Sequence, residues 1–249
     1  MTRARLLHRW LVSVLLAGLL ASGCVVASSG PASAEPTWLE TVDVSSGAHA
    51  VNGYDLAYLP DGTLAVVWGE ATGPVDGSVC FATRGRGDAG FSSVEPLGEG
   101  YPYNPQIVVD AHGAVSVAWI QSLNGRTVQA TYRGPGETDW TSPEIVASHS
   151  TMSFQLLVDS DDTVSLLSRH AEMSSAPAAE AYRVDANVRP VGEPWPGPQP
   201  VAEETTERIE DLRAVVAADG AVTAVWTNYG DGDSRRAAAR VHVRAVIAR

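Results

Sequence analysis

Paired carboxylates such as Asp55 and Glu70 could serve a hydrolase, since acid–base chemistry needs little more than two tuned carboxyls, but no spacing in the sequence singles them out. His49 and His149, with Glu207, make a second set, since two imidazoles and a carboxylate are donors that a divalent metal accepts. Asp231 and Asp233, in "NYGDGDS", are spaced like the hard oxygen ligands of a short calcium loop. No acidic residue follows them at the distance an EF-hand requires. "RGD" at 86–88 spells an adhesion tripeptide, but it lies in an Arg- and Gly-rich loop where three such residues arise readily by chance. His112 and His242 receive no role. None of these sets acts unless the fold gathers its members, so the elements that carry them decide the matter.

Those elements are written as a repeat. "LPDGTLAVVWGEA", "VDAHGAVSVAWIQS" and "AADGAVTAVWTNYG" each place a turn glycine six residues before a tryptophan: Gly62 and Trp68, Gly113 and Trp119, Gly220 and Trp226. A degenerate copy, "VDSDDTVSLLS", has Asp162 at the glycine place and Ser168 at the tryptophan place. Successive copies are about 50 residues apart, the period of β-propeller blades. Within a copy, an apolar run meets an Asp/Gly turn and then an alternating run, which reads as a tight hairpin. A third run follows ("SVCFATR", "RTVQATYR", "AEAYRV", "AAARVHV"). A fourth is headed by an aromatic: Phe91, Trp140 or Trp195. Prolines confine that fourth strand to a sheet edge.

The last copy has no aromatic-headed fourth strand, whereas "WLETVDV", from Trp38, precedes the first copy without strands of its own. Surplus and deficit cancel if the N-terminal strand pairs onto the last blade and closes the ring, which also protects sheet edges. The expected fold is therefore all-β: a small propeller of about four blades, each of four antiparallel strands, with repeats at 35–98, 99–147, 148–202 and 203–249. Two copies of the chain sharing an eight-bladed ring, or pairing side by side, remain as a rival.

On these repeats the chain resembles secreted bacterial β-propeller proteins with sialidase-like blades, over residues 36–249. Four-bladed rings of the hemopexin type show that so small a ring exists. The resemblance raises glycan-active enzymes, which as a family use an arginine triad and a tyrosine nucleophile. The residues here depart from it: Arg213 lies at an inner-rim position and Arg169 near one, no third arginine converges, and the aspartate-box spacing is absent.

In a propeller the loops entering each first strand and leaving each second strand open on one rim, where ligands collect. Seven residues before the turn position stand Asp55, Gln106, Gln155 and Arg213, all polar. Eight after it stand Glu70, Gln121, His170 and Asn228, also all polar. These eight are the expected ligand-binding rim, a hydrogen-bonding cup for a glycan, peptide or cation.

The ends and the charge set the surroundings. Arg3, Arg5 and Arg9, an apolar run and small residues form an export signal, too short for a membrane-spanning helix. Cleavage after Ala34 (signal 1–34, propeller 35–249) competes with a lipobox-like "LASGC" that would lipidate Cys24 (signal 1–23). The protein is accordingly expected to be secreted, or alternatively tethered to the cell surface by lipid. After Ala34 only Cys80 remains, so no intrachain disulfide is available. The mature chain has 14 basic and 29 acidic residues, a charge of −15, which repels phosphate backbones and excludes nucleic acid as a partner. The expected function is non-catalytic binding or scaffolding of an unknown polar ligand, without a cofactor and with homodimerisation open. The alternative is a degenerate sialidase-like glycan-active enzyme.

Overall fold

Each Asp/Gly turn folds one hairpin in the same way. In the computed structural model, which describes residues 40–122, 125–147, 150–173, 180–201, 205–229 and 240–246, Gly62, Gly113 and Gly220 adopt φ of 84°, 90° and 80°. Only the missing Cβ makes this left-handed conformation free of strain. Asp162 takes the same place at φ 62°, in a conformation that aspartate tolerates better than most residues. An aspartate in or just before each turn accepts backbone N–H groups: Asp61 from Thr63 (2.8 Å), Asp110 from Ala114 (2.8 Å), Asp159 from Thr163 (2.9 Å) and Asp219 from Ala221 (3.1 Å). These bonds hold the Asp61 carboxyl below its ordinary titration range.

The hairpins extend into four antiparallel sheets. The first comprises β1 (Ala50–Tyr58), β2 (Leu64–Ala71), β3 (Gly77–Arg84) and β4 (Glu95–Glu99) in that order. The second comprises β5 (Pro102–Val109), β6 (Val115–Gln121), β7 (Thr127–Arg133) and β8 (Glu144–Ala147). The third comprises β9 (Thr151–Val158), β10 (Val164–Met173), β11 (Glu180–Arg189) and β12 (Gln199–Pro200). The fourth comprises β13 (Arg208–Val216), β14 (Val222–Tyr229) and β15 (Arg240–Val246). Among the described residues there is no helix. The protein is a small all-β propeller of four blades, each a sequential meander. The described residues from Val42 onward form one compact unit. The proposed closing strand begins at Trp38, outside the described residues, and Val42–Val44 carry no strand. Cys24 and the export signal also lie outside the described residues.

The aromatic heads do not enter the fourth strands; they precede β4, β8 and β12 and pack back on the core. Trp140 meets Phe81 edge-on, with ring centres 5.0 Å apart. Arg133 lies over both rings, at 4.7 and 4.6 Å, and its guanidinium and the Trp140 indole N–H both reach Glu95. Arg189 repeats the arrangement one blade on, between Tyr132 and Trp195. The core is a series of blade-to-blade layers: Val67 and Phe81 against Val117 and Trp119, Ala118 and Val128 against Phe154 and Leu166, and Leu167 and Val184 against Ala224 and Trp226.

Candidate functional site

The innermost strands carry the first ring of polar residues, and a repeated bulge sets how they lie. Pairing shifts register between Val51 and Tyr54 in β1, between Tyr103 and Gln106 in β5, and between Glu210 and Arg213 in β13. Each bulge holds one left-handed residue nine before the turn position: Gly53 (φ 99°), Asn104 (φ 46°) and Asp211 (φ 52°). A bulge of this kind bends its strand and re-aims the side chains after it. Two residues later come Asp55, Gln106 and Arg213.

Asp55 and Gln106 tie their blade to the next. The inner edge of β9 has no neighbouring strand, so its backbone groups need partners. The Gln106 amide supplies two: Nε2 donates to the Phe154 carbonyl (2.8 Å) and Oε1 accepts from Leu156 N–H (2.8 Å), as a paired strand would. Asp55 does half of this one blade earlier, with Oδ2 accepting from Ile107 N–H (3.0 Å) while Oδ1 accepts from Leu56 N–H (2.9 Å). Gln155 donates only to Phe154 of its own strand (3.1 Å), and the third blade lacks a left-handed residue at the corresponding place, Ser153. Arg213 is exposed. Arg169 is half-buried and donates to the Ile209 carbonyl, tying the third blade to the fourth; burial pulls its guanidinium below the usual arginine value.

The second ring divides into occupied and unoccupied groups. Glu70 accepts from the Trp68 indole N–H (2.8 Å). Asn228 donates to Glu207 (3.1 Å), joining two of the positions singled out above. Gln121 Oε1 and Asn228 Oδ1 are buried and have no partner among the described residues, as is Asn52 Nδ2 at the start of β1. A buried polar atom left so costs about 1–3 kcal/mol unless something meets it. Tyr101 and Tyr103 stand at the same end of the second blade, edge to face with centroids 4.9 Å apart.

His170 is wholly buried, with Ser168 and Asp185 around it. Its Nε2 lies 2.8 Å from Ser168 Oγ and 3.4 Å from Asp185 Oδ2, while Nδ1 lies 3.3 Å from Thr151 Oγ1. The composition matches a Ser-His-Asp triad but the wiring does not. Activation of a nucleophile needs serine on one ring nitrogen and aspartate on the other, and here both share Nε2. Ser168 stands at the place that tryptophan holds in the other three copies, and Arg183 is joined to Asp185 (3.0 Å).

Of the metal candidates, His49 is exposed, Glu207 is engaged by Asn228, and His149, Asp231 and Asp233 lie outside the described residues. The structure draws together a different set at the hairpin-turn end. Asp110, His112 and Asp162 place one potential ligand atom each within 4.8 Å of one another. Their contacts already serve the fold: Asp162 accepts from Ala111 N–H (3.0 Å) and lies 2.6 Å from His112 Nδ1, linking two turns. The signal for this link was in the sequence, as an acidic residue where the other copies have glycine.

No family model matches the chain, and no curated protein matches it. Solved structures do. The chain is similar to an ulvan lyase of a polysaccharide lyase family (TM-score 0.58, 10% identity, over 78% of this chain and 56% of that one). It is also similar to an α-L-arabinanase of Penicillium chrysogenum complexed with arabinobiose (TM-score 0.53, 13% identity, 85% and 68%). A third likeness is to an α-L-arabinofuranosidase of Fusarium graminearum (TM-score 0.52, 12% identity, 79% and 62%). The chain thus spans about three-fifths of the length of these structures, and what it shares with them is the β-propeller fold.

Proposed function

We propose that the protein is an extracellular, non-catalytic propeller that binds a hydroxyl-rich ligand, a polysaccharide or its oligosaccharides, on the rim where Asn52, Gln121 and Asn228 lie. The observation that carries this reading is the set of three buried, unpartnered amide atoms there: two acceptors, Gln121 Oε1 and Asn228 Oδ1, and one donor, Asn52 Nδ2. A sugar hydroxyl donates and accepts at once, and so answers both kinds. The Tyr101–Tyr103 pair offers an aromatic face to the apolar side of a sugar ring. The solved propellers it resembles act on arabinan-type and ulvan glycans, which favours this ligand class over a peptide or a cation.

The non-catalytic reading is supported by what the rim carboxylates already do. Both oxygens of Asp55 accept backbone N–H groups, and Glu70 is engaged by an indole. Free secretion with cleavage after Ala34 is part of the proposal; the mass of the exported protein distinguishes it from lipidation at Cys24. The test is a polysaccharide and oligosaccharide binding screen beside a broad glycosidase and lyase assay. Binding that falls tenfold or more in Gln121→Ala and Asn228→Ala, with the melting temperature unchanged or raised, is expected. Turnover that disappears in Asp55→Ala or Glu70→Ala refutes the reading.

A further inference from the structure

The interfaces between consecutive blades repeat one pattern, and that pattern leaves a remainder at each end of the array. In all three, the residue five before the turn position on one blade shares a packed cluster with the residue six before it on the next: Ala57 with Ile107, Val108 with Leu156, Leu157 with Ala214. Continuing the series pairs Val215 of the fourth blade with Leu56 of the first. These two are 65% and 53% exposed, whereas Ile107 and Leu156, the counterparts of Leu56, are 5% and 6% exposed.

Two other repeated devices are half-made at the same places. Arg133 and Arg189 each lie between an aromatic of the preceding blade and a tryptophan of their own. In the first blade the matching arginine, Arg84, and aromatic head, Phe91, line an open apolar groove of ≈ 390 Å³ beside Leu56, Leu64 and Val66. The tie from one innermost strand to the next, made by Asp55 and Gln106 but not by Gln155, also has no member at the end of the array. Arg213 stands where Asp55 and Gln106 stand, and the position that receives such a tie in the third blade, the Phe154 carbonyl, corresponds to the Tyr54 carbonyl in the first. Guanidinium only donates, and a carbonyl only accepts.

We propose that a second copy of this chain completes both ends, the fourth blade of each copy packing on the first blade of the other, so that two chains share one eight-bladed ring. Head-to-tail contact between unlike faces closes when the rotation permits, and two such contacts related by a two-fold axis close here. The interface continues the one already built three times within the chain. In the single chain both end faces are exposed together, and packing of the extent seen between consecutive sheets does not join the first sheet to the fourth among the described residues.

The test uses exported protein carrying either Leu56→Cys or Val215→Cys. After mild oxidation, a disulfide-linked dimer is expected when the two variants are mixed and not from either alone; Cys80 is buried and does not compete. Light scattering of the parent protein should give twice the chain mass, and Leu56→Asp should weaken that association at least tenfold with an unchanged far-ultraviolet spectrum. A monomeric parent overturns the proposal. So does a dimer in which Leu56→Cys links to itself, or an intrachain disulfide in dilute Leu56→Cys/Val215→Cys protein, which marks a ring closed within one chain.

Discussion

Replacing Gln106 with alanine separates a tie between blades from a ligand contact. The substitution removes one amide, leaving the Leu156 N–H of β9 without a partner and the Phe154 carbonyl with Gln155 Nε2 alone. Both residues are buried, so water does not readily take the amide's place. An unpaired buried group costs about 1–3 kcal/mol, which is the loss expected for the Leu156 N–H. In a domain of this size each kcal/mol moves the melting temperature by about 2–4 °C, so a fall of roughly 2–12 °C is expected. Gln106→Glu keeps one acceptor for Leu156 N–H but sets a second oxygen against the Phe154 carbonyl. Its stability should therefore recover as pH falls, because a protonated carboxyl can donate there again. Thermal and urea denaturation at several pH values read both effects. If Gln106→Ala melts within a degree of the parent while ligand binding is lost, Gln106 faces the ligand and the tie is not structural.

Further outcomes follow from other parts of the fold. Trp119→Ala, at a wholly buried side chain between the first two blades, should destabilise by about 3–5 kcal/mol in urea titration. Gly98→Ala places a Cβ 2.6 Å from Trp119 Cζ2 in a ring that has no room to turn, and should cost about 1–3 kcal/mol by the same assay. Asp162→Ala puts an alanine at φ 62° and removes the carboxylate that joins the second and third turns; it should cost more than Asp162→Asn, which keeps an oxygen for Ala111 N–H. Burial raises the Cys80 thiol above its ordinary value of 9.0, so the folded state disfavours the thiolate. Cys80 should then resist alkylation at pH 8 until urea unfolds the protein, and stability should fall as pH rises through about 9, where the unfolded thiol ionises first. Rapid labelling of the native protein contradicts this.

The hairpins were legible because two periodic signals coincide in them: alternation of apolar residues and a turn glycine whose φ admits little else. The edge strands were legible from their prolines. The direction of the polar side chains on the innermost strands was not. Counting offsets assumes unbroken alternation, and the bulges at Gly53, Asn104 and Asp211 break it. Asparagine and aspartate at such places are equally at home in loops, caps and solvent, so their type does not announce a left-handed bulge. Asp162 posed a different difficulty. Within its own copy it reads as a decayed glycine, and its role appears only with His112, a residue of the previous copy. The Ser168–His170–Asp185 group is similar: its aspartate comes from β11, and only the structure shows that it meets His170 beside Ser168.

Consecutive blades are joined by side chains at fixed offsets and not by a backbone ladder, and this bears on how such a chain can change its length. A hydrogen-bonded ladder running through the whole molecule would penalise any insertion, since every later strand would have to keep its register. Here a segment of about 50 residues carries its own sheet, one face to offer and one to receive. Duplicating or deleting such a segment leaves each remaining junction chemically as it was. Copy number is then a heritable variable that the junction chemistry does not constrain, and selection acts on it through whatever finishes the circle.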